Sequence, residues 1–201
     1  LKPGSFACLE DAERRPLGTV TVNPNSKIAA RFLDRDPEAV IDKAWLAAKV
    51  ARALSLRDLI YAQPFYRLVH AEADGLPGVV IDRFGDTAVL QPNAAWAEAC
   101  LDDLVAVLGE VAGVHTVVKN GMGRARALEG LPEETQVVTG GVDGPIAVPM
   151  NGATYMADLL GGQKTGLFYD QRENHAFAAR FAKDARVLDV FSHVRGFALA
   201  V

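Results

Sequence analysis

Cysteine is scarce in this chain: Cys8 and Cys100 are the only two in 201 residues, far apart and without C-x-x-C spacing. That excludes a disulfide framework and a thiolate zinc site, and it fits a reducing cytoplasm. No apolar run approaches the roughly 20 residues that cross a bilayer, so no membrane partner is expected. The opening LKPGSFACLE has no basic segment ahead of an apolar core, and no signal peptide is read there. Positive charge is not in excess either. Lys and Arg number 21 against 25 Asp and Glu, a formal net charge of −4, so composition alone does not mark a nucleic-acid binder. Small basic groups remain at Arg14 and Arg15, at Lys27, Arg31 and Arg35, and at Lys119, Arg124 and Arg126. Groups of this size are ordinarily solvated surface. His70, His115, His175 and His193 share no H-x-x-x-H pattern, and none pairs recognisably with a Ser or Cys nucleophile.

What is present is globular. Half of the residues are apolar and 23% are charged, enough to bury a real core in one or two domains. SFACLED, LGTVTVN and IAARFL alternate like short strands. The period changes at DRDPEAVIDKAWLAAKVARALSLRDLI, where Pro37 suits a first helical position and Asp36 a cap before it. Ile41, Trp45, Ala48 and Ala51 recur at helical spacing. A domain boundary is placed between Leu33 and Asp36.

FYRLVHAEADGLPGVVIDRFGDTAVLQP then reads as a three-stranded meander with turns at Asp74-Gly75 and Pro77-Gly78. A helix is expected over 94–111, on Trp96, Leu101, Leu104, Val105 and Leu108, with HTVVKN as a strand after it. TQVVTG, PIAVPMNG and ATYMADLL read as further strands. Residues 36–160 are therefore expected to be an α+β unit of antiparallel meanders. Near the end, DQRENHAFAARFAKDA reads as a helix and RVLDVF as a continuous apolar strand of a parallel sheet.

Two stretches could carry chemistry. In open α/β sheets, cofactors bind beyond the C-terminal ends of strands, and RVLDVFSHVRGFALA offers a strand ending at Asp189, a loop and a helix start. Gly196 would leave ligand space there that a side chain would fill. A full G-x-G-x-x-G is absent, and an ordinary buried strand leading to a helix remains the alternative. GGQKTGLFYDQRENH lacks the G-x-x-x-x-G-K-[ST] spacing of a triphosphate loop. It still gathers a glycine pair, an amide, a lysine, two aromatic residues and Asp170, itself a simple helix cap. Asp74, Asp82 and Asp86 sit in separate turns without calcium-loop spacing. No metal site is expected.

Taken together with FYRLVHAEADGLPGVVIDRFGD, these stretches resemble the S-adenosylmethionine-dependent 23S ribosomal RNA (cytosine-5) methyltransferase family. NPNSKIAARFL resembles the end of that family's RNA-binding PUA domain. The resemblance implies an α+β multidomain fold. Its parts would be a partial PUA-like β domain over 1–34, a central α+β domain over 35–160, and the start of a class I Rossmann-like methyltransferase domain over 161–201. It implies S-adenosylmethionine as cofactor and ribosomal RNA as partner, in a cytoplasmic protein compatible with a homodimer.

Carried over residue by residue, Gln163, Thr165, Asp170 and Arg172 would line the cofactor site. Asp189, Phe191, Ser192 and Gly196 would form its first loop. C5 of cytosine is a poor nucleophile, so the family's chemistry uses a cysteine thiolate that adds to C6 before methyl transfer. That cysteine is expected beyond Val201, since neither Cys8 nor Cys100 fits the family's pattern. Residues 1–201 alone are therefore expected to be inactive. Relatives tend to have glycine where this chain has Arg195, a cation that would fill the loop or meet the cofactor carboxylate. The rival reading is a non-enzymatic RNA-binding or scaffold protein.

Overall fold

The structure, a computed structural model, describes residues 1–162, 165–190, 192 and 196–200. It divides into two compact units, Leu1–Gly140 and Gly141–Val201.

In the first unit, strands β1 (Ser5–Glu10), β2 (Pro16–Val22) and β3 (Ala30–Asp34) form an antiparallel sheet in that order. Gly18 lets β2 and β3 close up, because a Cβ there would lie 2.4 Å from the Asp34 carbonyl oxygen. This small sheet buries few large apolar side chains, chiefly Val20 and Leu33, so polar contacts anchor it. The Asp34 carboxylate accepts from the Trp45 indole N–H at 2.8 Å and from Lys49 at 3.2 Å. Those donors, with the Asp36 amide, hold its pKa down at about 2.

The helix read from Pro37 starts instead at Lys43. Helix α1 (Lys43–Ile60) is capped by Asp42, whose Oδ1 accepts from the Trp45 amide at 2.8 Å. Asp36 holds turns rather than a cap: its carboxylate accepts from the Glu38 amide and its carbonyl from the Thr19 hydroxyl. The buried stripe of α1 is Leu46, Val50 and Ala53, with Ile41 and Trp45 packed beside the core.

The meander is present as β4 (Phe65–His70), β5 (Val79–Phe84) and β6 (Thr87–Pro92). Its aspartates serve the fold. Arg57 grips Asp74 through two bonds of 2.7 Å, and Arg67 grips the fully buried Asp82 at 2.8 and 2.9 Å. Among the described residues no cluster of His, Cys, Asp or Glu could hold a metal ion, and no helix is long and apolar enough to cross a membrane.

The helix expected over 94–111 breaks at Cys100 into α2 (Ala95–Ala99) and α3 (Leu101–Ala112). That helical passage returns the chain so that β7 (Thr116–Asn120) runs parallel to β6. Helix α4 (Arg124–Glu129) follows, and β8 (Thr135–Thr139) closes the sheet antiparallel to β7, in the order β4-β5-β6-β7-β8. The sheet is thus mixed rather than a set of antiparallel meanders, because a helical crossover supports parallel pairing. α4 escapes hydrophobic patterning because the residues it buries are Arg126 and Glu129.

In the second unit, β9 (Ile146–Met150) and β10 (Ala153–Ala157) pair across Asn151-Gly152, both at positive φ, as a tight hairpin turn requires. Helix α5 (Arg172–Ala179) and the short α6 (Gly196–Ala200) follow. The described part of that run, RVLDV, is not a buried strand. Residues 186–190 belong to no strand, and Leu188 is 86% exposed. A parallel strand needs neighbours for its backbone groups, and among the described residues none lies beside it.

Glu129 fastens the N-terminal sheet to the rest of its unit. It is 4% exposed and accepts from Asn23, Ser26, Arg31 and the Ala95 amide. Burial opposes its charge, but the Asn23, Arg31 and Ser26 donors outweigh that and hold its carboxyl below the ordinary 4.5. A depressed folded pKa stabilises above the unfolded value and stops doing so as pH falls through the folded one. Glu129→Ala should lower unfolding free energy at neutral pH by about 3–5 kcal/mol, the cost of leaving a buried partner unpaired. Urea unfolding should show the parent–variant gap full above about pH 5 and shrinking in acid. A gap below about 1 kcal/mol would mean that other contacts hold the sheet.

Candidate functional site

The segment after β10 folds tightly around one aspartate. The Asp158 carboxylate accepts from the Leu160 amide at 3.1 Å and the Gly161 amide at 2.8 Å, while its carbonyl accepts from the Gly162 amide at 3.1 Å. A Cβ at Gly162 would lie 2.2 Å from that carbonyl oxygen. One at Gly166, where φ is +89°, would lie 2.6 Å from it. The glycines are therefore sites of close backbone approach. Thr165 is buried beside them, its hydroxyl donating to the Leu167 carbonyl at 3.3 Å. Gln163 lies outside the described residues.

Asp170 is exposed in the short 3-10 turn Tyr169–Gln171 and gives α5 no side-chain cap. Its role as a helix cap is thus corrected: Gln171 occupies the cap position, and the preceding turn already sets the helix direction. Arg172 opens α5 with its guanidinium 5.5 Å from the Tyr169 ring centre, and its carbonyl accepts from Asn151.

Of the second group, Asp189 accepts from the Ala198 amide at 3.3 Å and so tethers α6. Ser192 is exposed, and Gly196 is the first residue of α6. Phe191 and Arg195 lie outside the described residues. Beside Asp189 runs an open groove of about 330 Å³, walled by Phe181, Val187, Leu188, Val190 and Phe197. One carboxylate acceptor among apolar and aromatic side chains can accept from hydroxyl or ammonium groups while a flat ring packs beside it.

His175 and Tyr155 join the two groups, and sequence reasoning gave neither a role. His175 is 4% exposed. Burial pushes its imidazole below the ordinary value, although the charges of Asp189 and Asp170 pull the other way. Both motif segments thus lie within electrostatic reach of one ring. The Tyr155 hydroxyl, its pKa raised by burial, donates to the Gly196 carbonyl at 3.2 Å. Only the hairpin signal at Asn151-Gly152 could have pointed to Tyr155, by fixing which face of β10 is buried.

Several residues of the basic groups are held in ion pairs, and neither cysteine stands as a ready nucleophile. Cys8 is exposed on β1. Cys100 is half-buried at the α2–α3 break, and burial, with Asp103 nearby, pushes its thiol up, away from the thiolate a nucleophile needs. Lys119 and Arg126 are buried on Glu98, at 2.7 and 2.8 Å. Arg31 pairs with Glu129, and Arg15 with Asp11.

Comparison with known proteins bears on the same segments. Residues 1–35 match the model of a PUA-like domain. Ribosomal RNA large subunit methyltransferase I of Aliivibrio fischeri (strain MJ11) is 37% identical over 182 residues, 88% of this chain and 46% of the relative. The protein of the same name from Cronobacter sakazakii is 33% identical over 98% of this chain and 51% of its own length. The chain is homologous to these methyltransferases.

It spans about half the length of the curated relatives it matches. Two solved structures share its fold. One is a putative SAM-dependent methyltransferase from Streptococcus mutans, with TM-score 0.76 and 17% identity over 90% of this chain and 47% of that one. The other is a putative methyltransferase complexed with SAH, with TM-score 0.74 and 18% identity over 89% of this chain and 46% of that one. At such identities the likeness speaks for the α+β fold.

The loop geometry has a direct consequence. Gly166→Ala forces a Cβ into left-handed backbone and against the Asp158 carbonyl, and should cost about 1–3 kcal/mol. Thermal unfolding of the chain measures it; an unchanged midpoint would mean that the loop closes without that approach.

Proposed function

We propose that the protein is an S-adenosylmethionine-dependent methyltransferase of large-subunit ribosomal RNA that modifies C5 of a cytosine. The observation that carries this reading is the homology over most of the chain to proteins named as ribosomal RNA large subunit methyltransferases. The PUA-like match over residues 1–35 supports RNA as the partner. The SAH in a neighbour of like fold supports the donor.

Within the chain, Thr165, Asp170 and Arg172, with Gln163, form one side of the donor site. Asp189, Ser192 and Gly196, with Phe191, form its first loop. Asp189 offers a carboxylate to ribose or ammonium groups, and the apolar side chains beside it offer a surface on which a base could pack. S-adenosylmethionine supplies a methyl group bound to a sulfonium. The thiolate that would add to cytosine C6 belongs, by the family resemblance, to a motif that neither Cys8 nor Cys100 matches, and burial pushes the Cys100 thiol up, away from a thiolate.

The complete gene product, given S-adenosylmethionine with a labelled methyl group and unmethylated ribosomal RNA, should incorporate label that nucleoside analysis finds as 5-methylcytidine. Label in another nucleoside would overturn the cytosine assignment. RNA binding without any incorporation would favour the scaffold reading.

A further inference from the structure

On sequence grounds Gly196 is glycine to leave room for a ligand. The structure puts something else in that room. A Cβ at 196 would lie 2.4 Å from Cε1 and 2.5 Å from Nε2 of His175, well inside van der Waals contact. The imidazole has little freedom to withdraw. It lies nearly parallel to the Tyr155 ring, centres 6.2 Å apart, and meets Phe197 edge-on at 4.6 Å. Gly196 is also the first residue of a right-handed helix, a conformation open to any residue, so the helix itself does not demand glycine. On the other side, the Tyr155 hydroxyl holds the Gly196 carbonyl.

We propose that His175 and Tyr155 are positioning residues that seat the backbone of Gly196, and that the glycine answers to the His175 ring rather than to a ligand. Tyr155 fixes the carbonyl and His175 the Cα, so the start of α6 is held in a set place against α5. His175 acts through its shape. Among the described residues its buried Nδ1 has no hydrogen-bond partner, an arrangement that costs stability, so the flat ring and its two aromatic contacts are what the site uses. The role in donor binding rests on the proposed function; the pairing itself does not.

A double-mutant cycle separates the two. Parent, Gly196→Ala, His175→Ala and the double variant are compared by thermal unfolding of the 201-residue chain and by S-adenosylhomocysteine affinity of the complete gene product. Gly196→Ala should lower the melting temperature of the parent clearly but of His175→Ala little, because the vacated ring space takes the new methyl group. It should weaken S-adenosylhomocysteine at least tenfold in the parent and less than threefold on the His175→Ala background.

His175→Phe should recover most of the affinity lost in His175→Ala, as a ring acting by shape requires. Additive melting losses would overturn the pairing whether or not the donor binds. Equal affinity losses on both backgrounds would return Gly196 to the ligand. A parent that binds no S-adenosylhomocysteine but shows coupled melting losses would defeat the donor assignment while keeping the pairing.

Discussion

A carboxylate shut away from water has to be met by donors, and the first unit is organised around one. Glu129 stands at the end of α4 and collects Asn23, Ser26 and Arg31 from the N-terminal sheet together with the Ala95 amide at the start of α2. The small sheet has little apolar surface of its own to bury, so these bonds do what a hydrophobic face would otherwise do. Removing one partner of such a group costs more than the bond contributes, because the others are left desolvated and unpaired. The segment that matches a PUA-like domain is thereby fixed to the larger sheet by a polar knot. The Glu98, Lys119 and Arg126 cluster repeats the device deeper in the same unit.

The second unit relies on close backbone approach instead. Gly162 and Gly166 draw the chain onto Asp158, and Gly196 draws it onto His175. Both devices lie in the stretches that the family resemblance assigns to the donor site. A loop that must present backbone to a small ligand gains from being set by contacts within the protein, since pre-organisation lowers the entropy that binding would otherwise cost. Under the proposed function, the exposed apolar groove beside Asp189 would supply walls for the nucleoside.

The sequence was legible where apolar residues alternate or recur. The meander β4-β5-β6 and the strand β7 follow from runs rich in β-branched and apolar residues such as Val79, Ile81, Val89 and Val117, all of them buried. It was not legible where charge is buried. α4 hides Arg126 and Glu129, and no hydrophobic period marks it. Helix α1 starts at Lys43 rather than at Pro37 because Asp42 caps it, while the Asp36 carbonyl accepts from the Thr19 hydroxyl. At the candidate site, the family motif carried Asp189 and Gly196, but the ring beneath them was invisible. A lone histidine in a helix reads the same whether it meets solvent or a glycine from another element.

If the glycine-rich segment after β10 and the start of α6 belong to one methyl-donor site, both must respond to one ligand. An NMR titration of the complete gene product, labelled with nitrogen-15 at glycine, with S-adenosylhomocysteine reads this. Saturable shifts are expected at Gly162, Gly166 and Gly196, with Gly18, Gly75 and Gly85 of the first unit unmoved. Saturable binding that leaves Gly162, Gly166 and Gly196 unshifted would contradict it.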